Sequence, residues 1–480
     1  MNKNCNFELP SIGDARRRTK EMAHIERELF SIDDKYKNLG VGRFYFLRTY
    51  GCQANQRDSE TIAGILDQLG YKKVEKEEEA DLIIMNTCAI RKNAEDKVLG
   101  EIGNLKKLKR ANPDLIIAMS GCMSQEEGIV KEVLAKYPQV DLIFGTHNIY
   151  NLPKLLFNAT MAKEKTVEVF SKEGDIIEAL PTTRFTTHKA WVNISYGCNK
   201  FCTYCIVPYT RGKERSRLLK DIVEEVQELK NDGYKEVTLL GQNVNAYGLD
   251  LGMETGFATL LEAVAGTGIE RVRYMTPHPW NFDDATIEVC GKYPNIMPYC
   301  HLPLQSGNDE ILKKMNRRYN AEQYRTLFDK LKKAIPGCCF TTDIIVGFPN
   351  ESEEAFQDTL DMVDYCKYDN AFTFIYSPRE GTPAASMPDN VSLEEKEARL
   401  ARLNAKVNGY ANMNNQKFQD QVVEVLVDGM SKRNDQVYSG YTPEFKLVNF
   451  TASHASVGDI VKVKITACKS FSLDGVMIED

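Results

Sequence analysis

Histidine is scarce in this chain, six in 480 residues. None follows the close-set cysteines at the distance a Cys/His zinc finger uses, and all-cysteine zinc motifs come as two close pairs. Long apolar runs are missing too. No stretch reaches the eighteen or so apolar residues that a helix needs to cross a bilayer. The first residues, Met1-Asn2-Lys3-Asn4-Cys5, are polar and lead into no apolar segment of the signal-peptide kind. Neither a membrane span nor an export leader is expected, and a cytoplasmic location is. Basic charge is not in excess either: 61 Lys plus Arg stand against 68 Asp plus Glu, a net charge of −7. A broadly basic nucleic-acid-binding surface is thereby excluded, and any RNA contact must be local. The 13 cysteines are an odd number. Reduced thiols, some holding metal, fit that better than a disulfide framework.

Three of those cysteines are spaced Cys198-x-x-x-Cys202-x-x-Cys205. Three thiolates this close suit a soft metal site, and they are one short of the four that close an iron–sulfur cube. An iron without a protein ligand can bind a small molecule directly, so the missing cysteine is a catalytic hint. Structural zinc, with a fourth ligand from elsewhere, is the competing reading.

A chain of 480 residues has room for two to four domains. Residues 1–40 read as an N-terminal extension, with one amphipathic helix expected around 23–30. Over 41–150, strands at 44–47, 82–85, 115–119 and 142–144 alternate with helices at 59–69, 94–108 and 125–136. Short apolar strands separated by helices imply a parallel α/β sheet covered on both faces. Residues 151–188 carry few long apolar runs and read as a linker with a short hairpin. Over 189–413, six more strands (191–195, 236–240, 271–275, 297–302, 340–346 and 371–375) alternate with helices. That pattern suggests a full or partial (β/α) barrel, with active residues at the strand C-termini. Beyond a helix at 392–407, residues 414–480 hold short strands near 422–427 and 459–465. They suggest a small antiparallel β-barrel, a shape often used to hold RNA.

The first three strands each run into a cysteine: Tyr50-Gly51-Cys52, Asn86-Thr87-Cys88 and Ser120-Gly121-Cys122. Ligands of open α/β sheets collect outside the strand C-termini, so these three would converge on one rim. One buried thiol at a strand end is ordinary. Three at equivalent positions favour a second cluster, again one ligand short.

Several strings carry a resemblance. They are Thr49-Tyr50-Gly51-Cys52-Gln53-Ala54-Asn55, Asn86-Thr87-Cys88-Ala89-Ile90-Arg91, His301-Leu302-Pro303-Leu304-Gln305-Ser306-Gly307, and Asp343-Ile344-Ile345-Val346-Gly347-Phe348-Pro349. With the cysteine spacings and the aromatic Tyr204 before Cys205, the chain resembles the radical S-adenosylmethionine (SAM) methylthiotransferases over 43–480. Tyr50-Gly51-Cys52-Gln53 and Cys88-Ala89-Ile90-Arg91 are similar to the branch acting on isopentenylated adenosine in tRNA. Ala54, Asn308 and Asn350 depart from the family's usual residues, Asn350 from a usual glycine, and 441–445 lacks the arginine common there.

The resemblance implies an N-terminal cluster domain, a radical SAM (β/α) partial barrel and a C-terminal TRAM domain, an OB-like RNA-binding barrel. Cys198, Cys202 and Cys205 would hold a [4Fe–4S] cluster whose open iron takes the amino and carboxylate groups of SAM. Cys52, Cys88 and Cys122 would hold a second [4Fe–4S] cluster that stores or supplies sulfur, and both rims should face one cavity. A radical derived from SAM would remove the hydrogen at C2 of adenine, and a second SAM would give the methyl group. Tyr204, Arg211, Gln242, Asn243, Ser306 and Asp343 would contact SAM. Of these, Gln242 and Asn243 would meet its amino group and Arg211 its carboxylate; a plain sheet-end polar residue is the alternative for each. Asp58-Ser59-Glu60 reads equally as one of the strings that carry the resemblance and as a helix cap. Lys106-Lys107, Lys109-Arg110, Lys313-Lys314 and Arg317-Arg318 read as phosphate contacts or a solvated helix face. The expected partner is tRNA, at the anticodon stem-loop, and the enzyme is expected to be a monomer. The donors of electrons and of sulfur stay unassigned. Competing readings are the same chemistry on threonylcarbamoyl adenosine or on a ribosomal protein aspartate, and a non-catalytic zinc-stabilised RNA-binding protein.

Overall fold

The computed structural model describes residues 27–89, 92–162, 165–169, 176–178, 180–432 and 434–478. The chain divides into two compact units. One runs through residue 185 and adds 195–201 and 205–217; the other takes 186–194, 202–204 and 218–480.

The first unit is built on a six-stranded sheet, all parallel, in the order Lys72–Lys73, Phe44–Thr49, Leu82–Thr87, Ile116–Gly121, Leu142–Phe144, Thr166–Glu168. The central strands Leu82–Thr87 and Ile116–Gly121 are buried at every position, and apolar over 82–85 and 116–119, because both faces are covered. Ile83, Met85, Ile117, Met119 and Ile143 enter one core, while Leu82, Ile84, Ile116, Ala118, Leu142 and Phe144 enter the other. Each fully buried Leu or Ile contributes about 1.5–3 kcal/mol, against a strand-propensity spread of about 1 kcal/mol. Burial therefore decides these strands.

Four local expectations are corrected. Arg27–Leu29 is a strand paired in parallel with Ile176–Glu178, not part of a helix; residues 23–26 lie outside the described residues. The presumed linker contains the helix Leu152–Ala162 and the sheet's last strand, Thr166–Glu168. Leu152, Leu155 and Leu156 are fully buried against the sheet, so three leucines at helical spacing suffice where no long apolar run exists. The helix expected at 94–108 is two, Lys92–Asn104 and Lys106–Ala111. The helix expected from 59 begins at Gln53 with Cys52 as its N-cap, so Asp58, Ser59 and Glu60 are buried interior residues and no cap.

The second unit holds two three-stranded parallel sheets. One pairs Arg271–Tyr274, Glu236–Leu240 and Lys189–Asn193; the other pairs Tyr299–His301, Cys339–Val346 and Asn370–Ile375. Single parallel bridges, Val272 to Ile296 and Gln305 to Ile344, extend their ends. Six parallel strands in this sequence make the partial barrel. Asn350, where a glycine is usual, sits at φ +64°, a left-handed conformation that Asn tolerates better than other side chains.

Residues 422–477 close into a barrel of five strands, Val422–Ser431, Asn434–Tyr441, Leu447–Thr451, Leu473–Met477 and Ile460–Cys468. It is not wholly antiparallel, since Leu447–Thr451 and Leu473–Met477 run parallel. Arginines of the first barrel sheet grip it. Arg273 donates to Thr442 O (2.9 Å) and Pro443 O (2.8 Å), Arg271 to Tyr441 O (2.8 Å), and Arg273 Nε to Glu236 at 2.7 Å. Replacing Arg273 with alanine strands the buried Glu236 carboxylate, with Arg271 still nearby. The expected loss is about 3 kcal/mol, read as a lower midpoint in chemical unfolding.

Candidate functional site

The first cysteine trio is drawn together by one asparagine. Cys52, Cys88 and Cys122 each follow a central strand of the first sheet. Asn55, in the first turn of the helix after Cys52, is fully buried. Its Nδ2 donates to Tyr50 O (3.0 Å) and Thr87 O (2.6 Å), which ties down the turns that deliver Cys52 and Cys88. Its Oδ1 lies 3.8 Å from both the Cys52 and the Cys122 sulfur. The third turn is secured by Thr87 Oγ1, which donates to Ser120 O at 2.5 Å. Two glycines make the crowding feasible. A Cβ on Gly51, at φ +106°, would stand 2.7 Å from the Cys88 sulfur, and one on Gly121, at φ +95°, 2.2 Å from Thr87 O.

Arg211 completes this site, and it was expected elsewhere, on the carboxylate of SAM. Its Nη2 donates to Asp58 Oδ2 (2.7 Å) and Asn55 Oδ1 (2.9 Å), and its Nε points at the Cys122 sulfur at 3.4 Å. Burial pushes the Cys122 thiol up from its ordinary pKa, and the Arg211 charge works against that shift.

The second trio lies in the loop 198–205. Cys198 N donates to Gly212 O at 3.1 Å. Cys202 is buried, while Cys198 and Cys205 are half-buried. Thr203 N donates to Met315 O (3.0 Å), Ala384 N to Thr203 O (2.9 Å), and Thr203 Oγ1 to Lys314 O (2.8 Å). Tyr204 packs against the small core of Ile311, Met315, Phe348 and Tyr376. The Cys202 sulfur receives Arg317 Nη1 at 3.4 Å. Arg317 is therefore no phosphate-binding surface residue, whereas Arg318 is exposed and stands over the Trp280 ring at 4.4 Å.

At the C-terminal end of the strand Glu236–Leu240, Gln242 is half-buried and Asn243 nearly fully buried. Asn243 Nδ2 donates to Asn281 at 3.4 Å, and its Oδ1 has no partner among the described residues. Asp343 Oδ2 meets His301 Nε2 at 3.3 Å. Ser306 is wholly buried, its hydroxyl taken by Asn308 N (3.2 Å) and Thr359 Oγ1 (3.4 Å); it braces a loop.

Residues 44–145 match an uncharacterized protein family, UPF0004, residues 192–363 the radical SAM superfamily and residues 416–478 the TRAM domain. Proteins named tRNA-2-methylthio-N(6)-dimethylallyladenosine synthase from Bacillus cereus (strain AH187) and Bacillus anthracis are each 54% identical over 475 residues, 99% of this chain and 93% of theirs. In fold, the chain is similar to the radical S-adenosylmethionine methyltransferase TsrM from Kitasatospora setae, at TM-score 0.55 and 12% identity, over 72% of this chain and 77% of that one. The chain belongs to the radical SAM tRNA methylthiotransferases. It is a transferase, and its cofactors are SAM and two [4Fe–4S] clusters. A non-catalytic zinc protein is thereby ruled out.

The residues of this methylthiotransferase fit those groups. Both trios are free thiols, each one ligand short of a closed cube. Among the described residues no three Cys, His, Asp or Glu side chains are grouped to hold a single metal ion, a tighter arrangement than the corners of a cube require. The unpartnered Asn243 Oδ1 suits an ammonium donor. Lys109, read as a phosphate contact, pairs with Asp141 at 2.8 Å, while Lys106, Lys107 and Arg110 are exposed.

Sequence reasoning missed Asn55 and Arg317. Asn55 had a signal, a short amide three residues after a cysteine at a strand end. Arg317 had none, since it stands in a basic pair beside a helix end. Substituting Gly51 with alanine would displace Cys88. Iron after anaerobic reconstitution should fall from about eight to about four atoms per chain, as measured by elemental analysis.

Proposed function

We propose that this enzyme adds a methylthio group to C2 of N(6)-isopentenyladenosine next to the anticodon of tRNA, as a monomer in the cytoplasm. The observation that carries the proposal is the 54% identity over 99% of the chain to enzymes named for that product. Cys198, Cys202 and Cys205 would hold the cluster that binds SAM; Cys52, Cys88 and Cys122 would hold the auxiliary cluster. Bound there, SAM and the clusters supply radical removal of the C2 hydrogen, the sulfur and the methyl group.

The chain's own residues bind, orient and exclude water. The unpartnered Asn243 Oδ1 would accept from the amino group of SAM, with Gln242 next to it in the chain. Asp343, held by His301, would bind the ribose or another polar part of SAM, and Tyr204, within the cluster loop, packs on the core of Ile311, Met315, Phe348 and Tyr376. Asn55 and Arg211 fix the auxiliary trio and close it to water. Arg211 leaves the SAM set, because Asp58 and Asn55 occupy its guanidinium. Ser306 leaves it too, because its hydroxyl is bonded inside. The five-stranded TRAM barrel offers the RNA surface.

Anaerobically reconstituted enzyme, SAM and a reductant, incubated with isopentenylated and unmodified tRNA, should give a 2-methylthio nucleoside by mass spectrometry only from the former. SAM cleavage without that product would move the substrate to threonylcarbamoyl adenosine or a ribosomal protein. Alanine at Cys198, Cys202 and Cys205 should abolish SAM cleavage. Alanine at Cys52, Cys88 and Cys122 should spare cleavage and stop sulfur insertion, and cleavage surviving in both sets would overturn the two-cluster assignment.

A further inference from the structure

Arg317 is a buried cation with no acid against it. It is 7% exposed. Its Nη1 donates to the Cys202 sulfur (3.4 Å), Nη2 to Pro303 O (3.1 Å) and Nε to the Tyr319 hydroxyl (3.0 Å). No carboxylate pairs with it among the described residues. The Tyr319 hydroxyl is itself turned to Leu304 O (2.8 Å) and Pro303 O (3.1 Å). A guanidinium stays charged at any pH a protein meets, and burying a charge without an opposite one costs several kcal/mol. Arg211 makes the same 3.4 Å contact to Cys122, but Asp58 at 2.7 Å cancels its charge. The turn before Arg317 is locked to the cysteine loop by the bonds from Thr203 to Lys314 O and Met315 O. The anion within reach of Arg317 is the Cys202 sulfur and what that sulfur ligates.

We propose that Arg317 is a positioning residue for the cluster ligated by Cys202. Its fork holds that sulfur in place, and its uncancelled charge raises the cluster's reduction potential. The inference rests on Cys198, Cys202 and Cys205 holding a [4Fe–4S] cluster. Net charge and hydrogen bonds to sulfur set such potentials, and a fixed positive charge favours the reduced, more negative state.

The test uses the full-length chain with alanine at Cys52, Cys88 and Cys122, reconstituted anaerobically and titrated by EPR at poised potentials. About four irons per chain and a spectrum that changes on adding SAM establish the cluster; their absence in this parent overturns the assignment and the inference with it. At the parent's midpoint, Arg317→Gln should cut the ratio of reduced to oxidised cluster at least tenfold, a fall of about 59 mV for one electron. Arg317→Lys, which keeps the charge, should stay near the parent. An intact cluster with an unchanged midpoint in Arg317→Gln would refute the proposal. Should the glutamine variant lose its iron, the lysine variant decides, and a tenfold fall there would refute the role of charge.

Discussion

A cysteine sulfur taken out of water needs something to hold it and, once it is a thiolate, something to balance its charge. Each unit meets that need with a buried arginine on one buried cysteine. Arg211 stands on Cys122 and Arg317 on Cys202, both at 3.4 Å. The environments differ in one respect that matters for redox chemistry. Asp58 neutralises Arg211, whereas carbonyls, a phenol and the sulfur surround Arg317. Removing the Cys202 sulfur would leave Arg317 a buried cation with no counter-charge, whereas Arg211 would keep Asp58.

The parallel sheet explains how three cysteines 36 and 34 residues apart in sequence (52 to 88 to 122) reach one place. Adjacent parallel strands in register end side by side, as the pairing of Thr49 with Asn86 and of Thr87 with Gly121 shows. The residues just past those ends share a rim. Glycines at Gly51 and Gly121 let the turns approach, and Asn55 supplies the donors those turns lack. The chemistry of the site is thus a consequence of strand register, which the two apolar faces enforce.

In the second unit, the small C-terminal barrel is fastened by long basic side chains. Arg271 and Arg273 bond the carbonyls at 441–443, Lys446 pairs with Asp369 at 2.8 Å, and Asp428 meets His188 and Lys189 at 2.7 Å. Positive charge spent on these internal bonds is unavailable to nucleic acid. This is consistent with a chain whose net charge of −7 gives no general affinity for a polyanion.

Much of this was legible in the residues themselves. Close spacing grouped Cys198, Cys202 and Cys205, and a shared place after three successive strands grouped Cys52, Cys88 and Cys122. Apolar runs report burial on two faces, and alternation of strands and helices reports a parallel sheet. Those features can be read from short stretches of sequence, although burial in the fold is what stabilises them. What the tertiary structure decided is which polar side chain meets which sulfur. Arg211 lies 89 residues from Cys122 and Arg317 115 residues from Cys202, and nothing local distinguishes a buried arginine from a solvated one. The strand at 27–29 and the helix at 152–162 escaped for the same reason, since a distant partner supplies the burial or pairing that stabilises each. Long-range contacts assign roles to polar residues because a buried charge takes its meaning from the partner that the fold brings to it.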